Sequence, residues 1–245
     1  MATPFQALKP LASQQVTIAP GLDHVEVFTM GGLLTLFWHG TGDEDAVVVA
    51  CGGAMGGLLG PAEGLYHDVG VALAAQGIGT VRVGWRRPND LDACTHDALV
   101  ALELAAGRGA KRAVMLGHSF GGAVAVRAGV TADDLVAGVV TLSTQSAGCE
   151  VAGGLVGRPV LCLHGDADEL LPPMCSELVA GLAEGELVIL PGAGHLLTQA
   201  ATELRDRLLT WIPATLGVTA TRPAGSPRKG PSAPAEHGKD WSGFS

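Results

Sequence analysis

The stretch Ala113-Val-Met-Leu-Gly-His-Ser-Phe-Gly-Gly-Ala-Val-Ala-Val-Arg-Ala128 decides the fold. A short, wholly apolar run ends at Leu116, a glycine-rich turn carries Ser119, and a helix-forming run begins at Phe120. Strand, sharp turn and helix in that order lift a side chain clear of the backbone, and Gly117-His-Ser-Phe-Gly121 fits the G-x-S-x-G pattern of such a turn. Glycines at 117, 121 and 122 suit a place where strand and helix crowd together and leave no room for a Cβ. The blander reading of the same residues is a glycine-rich turn in which Ser119 caps the helix. With 36 glycines in 245 residues, the pattern alone is weak and its neighbours must decide.

Working outward, short β-branched runs alternate with longer amphipathic ones. Strands are expected at Ala46–Ala50, Gly79–Val83, Ala113–Leu116, Gly138–Leu142, Pro159–Leu163 and Leu187–Leu190. Helices are expected near Pro61–Gln76, Leu91–Ala106, from Phe120, near Pro173–Leu182 and near Leu197–Trp211. Strands without polar alternation are buried on both faces, so the sheet is mostly parallel and covered by helices on both sides. Before it, Val25–Phe28 and Leu33–Trp38 flank Gly31-Gly32 as a hairpin. Residues 1–22 read as an N-terminal extension, 23–217 as one α/β domain, and 218–245, rich in Pro, Gly, Ser and Ala, as a disordered tail.

In such sheets ligands meet the loops at the carboxyl ends of the strands. A serine hydroxyl there is a poor nucleophile without a base and a group that orients the base. His195 stands at the end of Pro191-Gly-Ala-Gly-His195. Three acids compete in His164-Gly-Asp-Ala-Asp-Glu169, namely Asp166, Asp168 and Glu169. The chain order is serine, acid, histidine.

These features together resemble the α/β-hydrolase superfamily, and within it the small lidless serine hydrolases grouped with dienelactone hydrolases. The resemblance spans roughly residues 23 to 213. It implies Ser119 as nucleophile, Asp168 as the acid and His195 as the base. It also implies an oxyanion hole from the Phe120 amide and from Gly53 or Ala54, since Cys51-Gly-Gly53 stands where the family has its His-Gly loop. Dienelactone hydrolases proper carry cysteine at the elbow, where this chain has Ser119. Only residues 147–158 separate the strand ending near Ser146 from the one starting at Pro159, so no cap domain fits there, which suits small or exposed acyl groups.

Trp85-Arg-Arg-Pro-Asn-Asp90 follows a strand at the same end. Asp90 is a helix cap in the plain reading; in the functional one Trp85 walls the substrate and Arg86 or Arg87 grips a carboxylate. The expected activity is hydrolysis of small carboxylic esters, lactones or thioesters through an acyl-enzyme, without a cofactor. Acyl transfer on the same site and a non-catalytic ligand-binding module are the alternatives.

Charge and composition exclude other classes. Fifteen Lys and Arg against 24 Asp and Glu give −9, opposed to a nucleic-acid partner. No run of about 20 apolar residues occurs, and Met1–Gln15 lacks a charged segment followed by an apolar one, so neither a membrane span nor an export signal is expected, and the location read from this is cytoplasmic. Five widely spaced cysteines without CxxC, and histidines without HExxH, fit neither a disulfide framework nor a metal site. No GK[ST] motif supports nucleotide binding.

Overall fold

The computed structural model describes residues 2–218, and the residues beyond, with nearly all of the expected tail, lie outside that range. Its centre is a nine-stranded sheet in the order β1-β2-β3-β5-β4-β6-β7-β8-β9. After a one-turn helix α1 (Pro4–Ala7), strands β1 (Pro10–Ala19), β2 (Leu22–Thr29) and β3 (Gly32–His39) form an antiparallel meander. β3 then pairs antiparallel with β5 (Gly79–Gly84). From β5 onward the sheet is parallel: β4 (Ala46–Cys51), β6 (Arg112–His118), β7 (Val136–Leu142), β8 (Val160–Gly165) and β9 (Glu186–Leu190). All six residues of β4 are buried, and so are all six of β8, as apolar runs without alternation require when helices cover both faces.

Two cores lie on the two sides of the sheet. On one, helices α3 (Leu91–Gly107), α4 (Phe120–Thr131) and α5 (Met174–Ala183) pack over Val47, Val49, Met115 and Cys162. On the other, α2 (Leu65–Ala74) and α6 (Ala201–Thr215) cover Val48, Leu116, Val140 and Leu163. α2 starts later than its apolar pattern suggests, because Ala62, Glu63 and Gly64 all take positive φ (49°, 59° and 112°) and cannot extend a right-handed helix. Between β7 and β8 stands a single 3-10 turn, Ala152–Leu155, so the described residues carry no lid there.

β1 is absent from the sequence reading, which leaves residues 1–22 outside the sheet. Its residues are mostly exposed, so the burial that marks the other strands is missing, and only its ladder to β2 defines it.

Candidate active site

Ser119 sits between β6 and α4 with φ 56° and ψ −121°, a conformation that costs a non-glycine residue on the order of 1–3 kcal/mol. The surroundings enforce it. The Ser119 amide donates to Leu142 O at 2.9 Å and its carbonyl accepts from Gly122 N at 3.0 Å. A Cβ on Gly117 would stand 2.0 Å from Gly121 O, and one on Gly121 would stand 2.2 Å from Cys51 O. The elbow closes only because both are glycine. The Ser119 side chain makes no capping bond to α4, so the helix-cap reading does not describe it.

The expected acid and base, Asp168 and His195, arrive from two neighbouring strand ends. His195 Nδ1 lies 2.8 Å from Asp168 Oδ2. Because a carboxylate only accepts, the neutral ring carries its proton on Nδ1 and its lone pair on Nε2. The Asp168 carboxylate is fully buried, and its other oxygen accepts the amides of Leu170 and Leu171, both at 2.9 Å. Burial works to raise the Asp168 carboxyl, but the bonds from Leu171, His195 and Leu170 outweigh it and hold it below the usual carboxylate range. Asp166 points elsewhere, accepting Gly192 N at 2.6 Å and thereby tying the acid loop to the base loop.

Two further histidines brace this pair. His164 is buried; its Nε2 donates to Leu171 O (3.0 Å) and stands 3.2 Å from Asp168 Oδ2, while Nδ1 meets Ser176 Oγ at 2.7 Å. His118 donates from Nε2 to His195 O at 3.0 Å. Burial foremost pushes His118 down to about 4, so at neutral pH it is an uncharged strut for the base loop. Their side chains therefore hold the backbone that holds the pair.

Gly53 lies beside the serine: a Cβ there would stand 4.0 Å from Ser119 Cβ and 3.9 Å from His118 Nδ1. Phe120 opens α4 directly after Ser119. Gly53 and Phe120, two of the expected oxyanion donors, thus stand next to Ser119, and Ala54 follows Gly53 in the chain. Cys51, fully buried at the end of β4, has its thiol driven well above its ordinary range by burial and does not compete as a nucleophile.

The Trp85–Arg87 segment departs from its functional reading. Arg86 Nε is 2.5 Å from Asp97 Oδ1, its amide donates to Oδ2 of the same carboxylate at 2.9 Å, and Asp97 is fully buried. Arg86 therefore neutralises Asp97 and is not available to a substrate carboxylate. The Trp85 side chain belongs to the core. Exposed Arg87 donates from Nε to Gly31 O at 3.4 Å. Sequence reading missed the partner, because an aspartate in an amphipathic helix gives no sign of facing inward. The loops around the serine instead present apolar side chains to solvent, Met55 at 92%, Leu170 at 72%, Leu59 at 61% and Leu196 at 60%. Among the described residues no group of three or more His, Cys, Asp or Glu is placed to hold a metal ion, and no helix is long and apolar enough to cross a membrane.

Residues 92–201 match the family described as phospholipase/carboxylesterase. No curated protein matches the chain in sequence. Among solved structures, Est1E from Butyrivibrio proteoclasticus superposes with a TM-score of 0.69 at 16% identity, over 79% of this chain and 99% of that one. A dienelactone hydrolase from Anabaena variabilis gives 0.68 at 17% identity, over 83% and 99%. An α/β serine hydrolase without lid from Xanthomonas campestris gives 0.60 at 19%, over 81% and 98%. The chain thus has the α/β-hydrolase fold, and its described residues carry no lid between β7 and β8.

Proposed function

We propose that the chain hydrolyses carboxylic esters by a serine mechanism that needs no cofactor. The observation that carries this reading is the 2.8 Å bond between His195 Nδ1 and Asp168 Oδ2, set at the strand ends beside a serine on a strained elbow. The phospholipase/carboxylesterase match and the esterase and hydrolase neighbours support the same class.

In this mechanism His195 Nε2 takes the Ser119 proton as Oγ attacks the ester carbonyl. The carbonyl oxygen becomes negative and is received by the amides of Phe120 and of Gly53 or Ala54, while Asp168 stabilises the imidazolium. His195 then gives the proton to the leaving alkoxide, which departs as alcohol and leaves an acyl-Ser119. Water, deprotonated by His195, attacks this acyl group and releases the acid. With no lid between β7 and β8 among the described residues, the ester meets a site rimmed by apolar side chains and no free cation at Arg86, which favours small neutral esters over carboxylate-bearing ones.

A fluorophosphonate probe followed by intact-mass and peptide analysis tests this directly. One adduct, on Ser119, absent in Ser119→Ala, is expected together with turnover of p-nitrophenyl acetate. No adduct on folded protein refutes hydrolysis and leaves a ligand-binding module.

A further inference from the structure

We propose that Arg82 is a positioning residue for the loop that carries the oxyanion amides; the inference rests on the esterase reading above. Arg82 lies on β5, is 4% exposed, and has no carboxylate within ion-pairing distance among the described residues. It donates from one terminal nitrogen to Leu58 O at 3.1 Å and lies over the Phe37 ring at 5.0 Å, while its Nε has no partner. Its cross-strand partners are Phe37 and Ala50, and Thr80, two residues back on β5, and the His39 opposite Thr80 are themselves buried with unpartnered polar atoms, so none of these neighbours supplies an anion. Burying a guanidinium without an anion costs several kcal/mol. A cation over an aromatic ring returns at most about 2. For the stability of β5 alone, an apolar side chain would serve better.

What the arginine does hold is the loop 52–64. This segment has glycines at positive φ at 56, 57, 60 and 64 and therefore little stiffness of its own. Its shape comes from tethers: Gly56 N to Gly53 O at 2.9 Å, Tyr66 N to Leu59 O at 3.0 Å, Ala62 N to Leu196 O at 2.8 Å, and Arg82 to Leu58 O. Leu58 stands two residues from Gly56, which bridges directly to Gly53, and Gly53 backs onto Ser119. Release of Leu58 therefore loosens the amide that must meet the oxyanion. A misplacement of about 1 Å at such a group costs on the order of 10²-fold in rate, and the loss falls on the transition state because the ground-state ester makes little use of that donor.

The test compares wild type, Arg82→Met and Arg82→Lys for kcat, KM and melting temperature, and for inhibition by a trifluoromethyl ketone, whose serine adduct carries the oxyanion. In Arg82→Met, kcat is expected to fall about 10- to 100-fold with KM within about threefold, inhibition to weaken in parallel with kcat, and the melting temperature to hold or rise. Arg82→Lys, which can still donate to Leu58 O, is expected to recover part of the rate. A kcat within about threefold of wild type in Arg82→Met overturns the inference. So does a melting temperature lowered by more than about 5 °C, since the arginine would then serve the fold. Labelling of wild-type Ser119 by fluorophosphonate reports on the esterase reading separately: labelling with unchanged turnover in Arg82→Met sinks this inference alone.

Discussion

Replacing Asp168 by Asn isolates one proton. The two amides of Leu170 and Leu171 both point at Oδ1, so in Asp168→Asn the amide oxygen must occupy that position. A nitrogen there would set donor against two donors, at about 1–3 kcal/mol for each buried group left unpaired. The NH2 is thereby forced into the Oδ2 position, 2.8 Å from His195 Nδ1. His195 then accepts at Nδ1 and carries its proton on Nε2, where it cannot take the serine proton. The expected loss is on the order of 10⁴ in kcat, as for other triads held in the wrong tautomer, or about 5.5 kcal/mol of transition-state stabilisation. Steady-state hydrolysis of p-nitrophenyl acetate measures the rate, and ¹⁵N NMR of the imidazole reads the tautomer. A folded Asp168→Asn enzyme within tenfold of wild type, or one whose Nδ1 stays protonated, refutes the reasoning.

Other expectations follow from individual contacts. Asp166→Asn can keep its carbonyl on Gly192 N and is expected to stay within about tenfold of wild-type kcat; a loss equal to that of Asp168→Asn would reverse the assignment of the acid. Gly122→Ala sets a Cβ 2.2 Å from Thr144 Oγ1, whereas a Cβ on Gly181, on the exposed face of α5, meets nothing within 4 Å. The first change is expected to cost about 3 kcal/mol or more and the second to add about 0.5–1, both read from urea midpoints. Arg86→Ala strands the buried Asp97 and is expected to cost about 3–5 kcal/mol; a selective rise in KM for carboxylate-bearing esters without loss of stability would restore Arg86 to the substrate.

Acid sensitivity has a definite sign. Burial lowers His39 and His118 to about 4 from 6.5, so as pH falls below 6.5 the unfolded chain takes up protons that the folded one refuses until about pH 4. The stability they contribute is full above 6.5 and is lost over that window. Asp97, raised foremost by burial, titrates in the opposite sense. Urea midpoints at pH 7 and pH 5 check the balance, with a lower midpoint at pH 5 expected and a flatter profile in His118→Gln; equal midpoints in wild type contradict it.

The parallel strands were legible because apolar runs bounded by glycine and proline have few other uses in a compact chain. The elbow was legible because strand, glycine-rich turn and helix are contiguous, so one short stretch displays all three. Asp168 separated from Asp166 only through the resemblance. In the fold the difference lies in which oxygen meets the Leu170 and Leu171 amides and which meets Gly192, and that depends on loop geometry that residue types do not encode. β1 was hidden because an exposed edge strand lacks the alternation that burial imposes. Arg86 misled for a related reason: its partner, Asp97, lies 11 residues away on α3, and nothing in the spelling of either segment announces the other.

The tethers that fix the loops of Gly53, Asp168 and His195 end largely on main-chain atoms. His118 grips the carbonyl of His195, Ala62 the carbonyl of Leu196, and Leu170 and Leu171 offer their amides to Asp168. Such bonds do not depend on which side chain hangs from the tethered residue. The apolar side chains of Met55, Leu59, Leu170 and Leu196 are therefore open to exchange without unseating the serine, the acid or the base. A combinatorial library confined to those four positions would retune selectivity at little expense in folding, and in a lineage under natural selection the same four would be free to drift toward new esters while the reaction itself stayed fixed.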